Sequence, residues 1–144
     1  MTLYLETSAL LRAAVLHQAE VVARMRSATA WVTSALTLVE CERTLIAMMH
    51  AKRLSRPARA RAHGYLREVV WRTEVSELDG AVLDRAGQLF PVEPVRTLDG
   101  LHLAAILRWA ELGPLEVLTC DARIKENAAA LGLPVAFFPD EPRR

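Results

Sequence analysis

The segment Thr2-Leu-Tyr-Leu-Glu-Thr-Ser-Ala-Leu-Leu11 decides how the rest of the chain is read. Leu3 to Leu5 have the length and apolarity of a buried strand, and Glu6, Thr7 and Ser8 come next, where a strand gives way to a helix. Central strands of parallel sheets are apolar throughout because helices cover both faces. In such sheets the ligand crevice lies outside the carboxyl ends of the strands, so an acid placed there is a candidate for chemistry as well as for a turn. Thr7 or Ser8 would serve equally as a helix cap.

Working outward, the pattern of strand then helix repeats. Ala9 to His17 and Glu20 to Ser27 read as helices, and Ala30-Trp-Val-Thr-Ser34 as the second strand, with Ser34 capping the next helix. That long helix, from Leu36 to about Lys52, precedes Arg56-Pro57, where proline suits the first turn of another helix reaching about Arg72. Thr73 to Leu78 is compatible with a short strand, and Asp79 caps a helix over Gly80 to Phe90. Asp99 to Leu112 is apolar on nearly every side and should be buried, ending at Gly113-Pro114. Leu115 to Thr119 is a strand, Arg123 to Leu131 a helix, and Pro134 to Phe138 a final edge strand. Strands alternating with helices predict a three-layer α/β/α arrangement around a central, mainly parallel sheet. The expected domain spans 1–138, with 139–144 as a polar C-terminal tail.

Length and composition agree with one domain, since 144 residues can enclose a sizeable core. The apolar share of 52% excludes a disordered chain, and charges are interspersed too evenly for a membrane span. Nothing at the N-terminus reads as an export signal, so a cytoplasmic location is expected. Cys41 and Cys120 stand outside any C-x-x-C pair and are read as small buried residues. A net charge of +1 leaves nucleic-acid affinity to local clusters, of which the run Lys52, Arg53, Arg56, Arg59, Arg61, Arg67 and Arg72 is the densest. Arg53, Arg56 and Arg59 are the candidate phosphate contacts, with a solvated helix face as the alternative. Trp31, Trp71 and Trp109 have apolar neighbours and are expected to pack rather than stack on bases.

Acidic residues recur at comparable places. Glu6 ends the first strand, Glu40 lies near the start of the helix after the second, Asp99 begins the buried helix, and Asp121 comes after Thr119 and Cys120. Strand ends and helix starts of a parallel sheet share one edge, so these acids can converge. Converging carboxylates repel unless a cation neutralises them, and Mg²⁺ or Mn²⁺ suits oxygen ligands and phosphate chemistry. Glu42 is an alternative to Glu40, because helical phase puts it nearer the apolar face of Leu38, Cys41, Leu45, Met48 and Met49. Ser8 and Thr119 are candidate donors that orient carboxylates. His102, inside an apolar helix, is read as a packed core histidine.

At four places in order the sequence resembles the PIN-domain family, and within it the VapC-type ribonuclease toxins of toxin–antitoxin pairs. The matches are Tyr4-Leu-Glu-Thr-Ser-Ala-Leu10, Thr37-Leu-Val-Glu40, Thr97-Leu-Asp-Gly-Leu-His-Leu-Ala104, and Leu118-Thr-Cys-Asp-Ala-Arg123 with Ala128 to Leu133. The resemblance implies a PIN-like fold and a metal-dependent endoribonuclease acting through Glu6, Glu40, Asp99 and Asp121. It also implies Mg²⁺ or Mn²⁺ as cofactor, a cognate antitoxin and a homodimer. Thr37-x-x-Glu40 fits the family pattern and favours Glu40 over Glu42. One departure stands out: the family's first acid is ordinarily Asp, and here it is Glu6, whose extra methylene moves the carboxylate by roughly a bond length. The implied functions are therefore a working nuclease and, as the alternative, a catalytically weakened or inactive PIN domain that binds RNA or a partner. A phosphoacceptor receiver domain fits less well, because the lone late Lys125 has no matching acceptor acid on a mid-chain strand.

Overall fold

A computed structural model describes residues 1–139; residues 140–144, and with them most of the expected tail, lie outside the described residues. The strands are β1 (Thr2–Leu5), β2 (Ala30–Ser34), β3 (Thr73–Ser76), β4 (Leu115–Thr119) and β5 (Val135–Phe137). The helices are α1 (Thr7–Leu11), α2 (Ala19–Ser27), α3 (Ala35–His50), α4 (Arg56–Val70), α5 (Gly80–Ala86), α6 (Thr97–Ala110) and α7 (Ala122–Ala130). All five strands join one sheet in the order β3-β2-β1-β4-β5, and every pairing is parallel. Thr73 to Ser76 is thus a true edge strand, paired with β2 from Trp31↔Thr73 to Ser34↔Ser76.

β1 is central, and its side chains separate the two halves of the core. Leu3 and Leu5 pack with Leu10, Met25, Cys41, Leu45 and Leu66 from α1 to α4, whereas Tyr4 packs with Val32, Leu103, Ile106, Val117 and Ile124. This alternation comes from the two-residue period of a strand, and full burial of Leu3, Tyr4 and Leu5 explains why β1 reads as a continuous apolar run. Layering is accordingly α/β/α. The chain winds outward from β1 to β2 and β3, then returns to place β4 on the other side of β1, so the strand order reverses between β1 and β4. That reversal opens a crevice at their carboxyl ends.

Some expected boundaries move. The helix read over Ala9 to His17 begins at Thr7 and, from Arg12 to Leu16, widens into a π-helical turn that ends at His17 with φ 49°. The helix read from Asp99 begins two residues earlier, at Thr97, so Asp99 lies in its first turn rather than capping it. The helix read as Gly80 to Phe90 stops at Ala86, because the next residues form a loop fastened from outside. In that loop the Glu93 carboxylate accepts from Phe90 N–H at 2.9 Å and Val95 N–H at 2.7 Å. Asn127 on α7 donates to the Val92 carbonyl at 3.0 Å and accepts from its N–H at 2.9 Å. Gly100 lets α6 lie close to α5: a Cβ there would stand 3.1 Å from the Ala86 carbonyl oxygen. Cys41 is buried as expected, but Cys120 is only half-buried, since it sits at the crevice between strand ends. Among the described residues no helix is long and apolar enough to cross a membrane.

Candidate active site

Glu6 leaves β1 in an extended conformation and caps α1 with its own side chain, accepting from the Ser8 N–H at 3.1 Å. The same carboxylate oxygen accepts from the Ser8 hydroxyl and, at 2.7 Å, from the Thr119 hydroxyl at the end of β4. Those hydroxyls also take up the turn after β4: Ser8 Oγ accepts from Cys120 N–H at 2.8 Å, and Thr119 Oγ1 from Asp121 N–H at 3.0 Å. One carboxylate therefore ties the ends of the two central strands together. Glu6 is 4% exposed, and burial pushes its carboxyl up, against the opposing pull of His102, Ser8 and Thr119.

Glu40 reaches the same region from α3. Its Oε1 accepts from the Thr7 hydroxyl at 2.8 Å and from His102 Nε2. Burial raises the Glu40 carboxyl, but the hydrogen bond and charge of His102, together with Thr7, outweigh it and leave the group below its usual range. The other ring nitrogen of His102 lies 3.2 Å from the Tyr4 hydroxyl. Burial and the Glu6 charge push Tyr4 far up, so its hydroxyl keeps its proton beside Nδ1, while Nε2 faces Glu40. His102 Nε2 is also 4.0 Å from Glu6 Oε1. His102 is thus buried, as read from the sequence, yet it is the group that links the first two acids. Its partners Tyr4 and Glu40 lie 98 and 62 residues away in the chain, which is why helical periodicity alone could not reveal them. Glu42 points elsewhere and pairs with His63 of α4 at 2.6 Å.

The other two acids meet at an arginine. Asp121 caps α7, accepting from the Arg123 N–H at 2.8 Å, and the Arg123 side chain lies 3.8 Å from Asp121 Oδ1 and 4.0 Å from Asp99 Oδ2. Arg96 stands 3.8 Å from Asp99. Burial and then the Asp121 charge push the Asp99 carboxyl up, with Glu40 adding to the repulsion. The four acids thus form two linked pairs, Glu6 with Glu40 through His102 and Asp99 with Asp121 through Arg123.

Among the described residues no three His, Cys, Asp or Glu side chains are gathered closely enough to hold an ion between them. Each of Glu6 and Glu40 has one oxygen committed, Glu6 Oε2 to the Ser8 and Thr119 hydroxyls and Glu40 Oε1 to Thr7 and His102. Asp99 and Asp121 repel one another, and the arginine side chains that oppose them stand 3.8–4.0 Å away. Mg²⁺ is commonly held by one or two carboxylates plus waters and substrate phosphate, so this pair has the right chemistry, while Ser8 and Thr119 hold Glu6 by its Oε2.

The family model of the PIN domain matches residues 3–130. This chain belongs to the PIN domain family. It is 33% identical over 138 residues to the Mycobacterium tuberculosis protein named Ribonuclease VapC35, covering 92% of this chain and 94% of that protein. Among solved structures, VapBC2 from Rickettsia felis bound to a promoter DNA fragment superposes with a TM-score of 0.65 at 14% identity, covering 96% of this PIN domain chain and 99% of the other. The Mycobacterium tuberculosis VapC20 toxin, described as cleaving the sarcin–ricin loop, superposes with a TM-score of 0.65 at 14% identity over 91% and 95% of the two chains. At such identities the superpositions establish the PIN-like α/β/α fold.

Of the arginines expected to meet phosphate, only Arg53 lines a cavity beside the acids. Arg56 is exposed on α4, and Arg59 is half-buried with its Nε enclosed and without a hydrogen-bond partner among the described residues. Trp31 and Trp109 pack with their indole N–H groups bonded to the Met25 and Thr33 carbonyls, whereas Trp71 departs from expectation and is 85% exposed.

Proposed function

We propose that this PIN domain is a metal-dependent endoribonuclease and the toxin component of a toxin–antitoxin pair. The observation that carries the reading is the pairing of Asp99 with Asp121 beside Glu6 and Glu40 at the carboxyl edge of the sheet. Identity to a ribonuclease over nearly the whole chain supports it. Asp99 and Asp121 hold the cation, Mg²⁺ or Mn²⁺, with Glu6 and Glu40 completing the acidic wall. When bound, the ion supplies positive charge against the scissile phosphate and makes water a better nucleophile at neutral pH. His102 fixes the Glu40 carboxylate, Ser8 and Thr119 fix Glu6, and Arg123 spans the mouth of the site, where a guanidinium can meet a phosphate oxygen. The partners are an RNA substrate, a cognate antitoxin protein and a second copy of the chain, in the cytoplasm. Solved toxin–antitoxin complexes of the same fold support the antitoxin.

A second reading, a weakened or inactive PIN domain that binds RNA or a partner, is favoured by Glu6 itself, whose longer side chain is folded onto Ser8 and Thr119. Both readings meet one experiment: cleavage of total bacterial RNA with Mg²⁺ or Mn²⁺ by the parent, Glu6→Asp and Asp99→Asn proteins, with 5′-end mapping. The nuclease reading expects metal-dependent cuts that a chelator abolishes, faster cleavage by Glu6→Asp, and a loss on the order of a hundredfold or more for Asp99→Asn. Absence of cleavage by the parent and by Glu6→Asp would give the field to the binding reading.

A further inference from the structure

A cavity of 640 Å³ adjoins the acidic cleft and shares Ser8, Cys120 and Asp121 with it. Its size falls in the ~300–1,000 Å³ range of ligand clefts. Two kinds of side chain line it. Arg12, Arg53 and Arg123 come from the π-helical turn, the turn after α3 and the start of α7, against the single acid Asp121. Between them Leu16, Met48 and Phe137 form an apolar surface, on which Leu16 is 66% exposed. Lys125 lies over the Phe137 ring, 4.7 Å from its centroid, adding a further cation beside that surface.

The geometry points to this cavity as the seat of a nucleotide flanking the cleaved bond, its base on Leu16, Met48 and Phe137 and its phosphate on Arg53. The assignment rests on the nuclease reading for its substrate class. Guanidinium groups pair with phosphate oxygens in a planar fork, and unpaired bases bury their faces on apolar or aromatic side chains. Arg123, which already bridges Asp99 and Asp121, joins the cavity to the acids, so a strand seated here continues into the site. Arg56 and Arg59 do not line the cavity and take no part.

Binding in chelator separates this assignment from catalysis. Fluorescence anisotropy would compare an oligoadenylate of about eight nucleotides with an abasic ribose-phosphate strand of equal length, the site size being typical of single-strand grooves. The variants are Arg53→Ala, the pair Leu16→Ser with Met48→Ala, and Arg56→Ala, with melting temperatures confirming that each is folded. Arg53→Ala is expected to weaken both strands about fivefold and to lower the slope of log affinity against log salt by about one. The Leu16/Met48 variant is expected to weaken oligoadenylate about tenfold and leave the abasic strand unchanged. Arg56→Ala should change neither. Equal losses from Arg53→Ala and Arg56→Ala, an equal or absent effect of Leu16/Met48 on the two strands, or no binding by the parent would overturn the assignment. Metal-dependent cleavage alongside unaltered binding would remove the subsite and leave the nuclease; the reverse pattern would remove the nuclease and leave the subsite.

Discussion

Glu6 has one methylene more than aspartate, and in the structure that length is taken up by the turn of its carboxylate onto Ser8 and Thr119. The group is enclosed, and burial holds its folded-state pKa above the unfolded value. A raised carboxyl favours the neutral form in the folded protein. Its contribution to stability is therefore fully present below the unfolded pKa of about 4.3 and is lost as pH rises through the folded value. In metal-free protein, Glu6→Gln should raise the melting temperature at neutral pH, and the gain should vanish near pH 4 (about the unfolded value), where the parent is also uncharged. Calorimetry across that range decides it; a gain independent of pH would mean that charge burial is not the cause. His102 is buried on α6. A histidine on an apolar helix is ordinarily core, and this one is core and site together because Tyr4 and Glu40 reach it from β1 and α3.

At the scale of elements, the start of α6 is set from a distance. Asp99 enters the site because Thr97 begins the helix, and the preceding loop is fastened by Glu93 within it and by Asn127 from α7. The Asn127 amide acts on Val92 as a backbone strand would, donating and accepting at once. Replacing it with alanine removes both bonds, and Asn127→Ala should cost about 1–3 kcal/mol. Urea unfolding measures this, and a loss under about 0.5 kcal/mol would mean that water replaces the amide without consequence. Gly100 acts on the same helix by allowing close approach to α5. Both residues shape the site without touching an acid.

For the whole molecule, the sheet order places β1 and β4 side by side, so acids 115 residues apart in sequence, Glu6 and Asp121, lie on neighbouring strand ends. Bringing like charges together costs free energy that folding must supply, and a cation that binds only the folded state returns it. At a concentration about a hundredfold above its dissociation constant, Mg²⁺ or Mn²⁺ should stabilise the fold by about 2.7 kcal/mol, a rise of several degrees in melting temperature. Asp99→Asn should start from a higher metal-free melting temperature and respond far less. A parent protein that melts at the same temperature with and without either ion would contradict a metal seat at Asp99 and Asp121.

Most strands and helices and their alternation were readable in the sequence, because they rest on local chemistry: the apolar run of Leu3 to Leu5, Ser34 as cap, Pro57 in a first turn, and Gly113-Pro114 as a stop; Thr73 to Ser76 became a strand only by pairing with β2. Ala30–Ser34 and Leu115–Thr119 were legible residue for residue. The acids could be chosen as candidates because strand ends share an edge in any parallel sheet. Tertiary structure decided how they pair, because that depends on which distant group faces each carboxylate. It turned Glu6 toward Ser8 and Thr119, gave Glu40 to His102 and Glu42 to His63, and set Arg123 between Asp99 and Asp121. It also separated Arg53, beside the site, from Arg56 and Arg59, which stand with it in one basic run of the chain. Arg53 lies in the turn after α3 whereas Arg56 and Arg59 lie on α4, so the break between the helices divides the run, and only the packed elements show which of its charges meet.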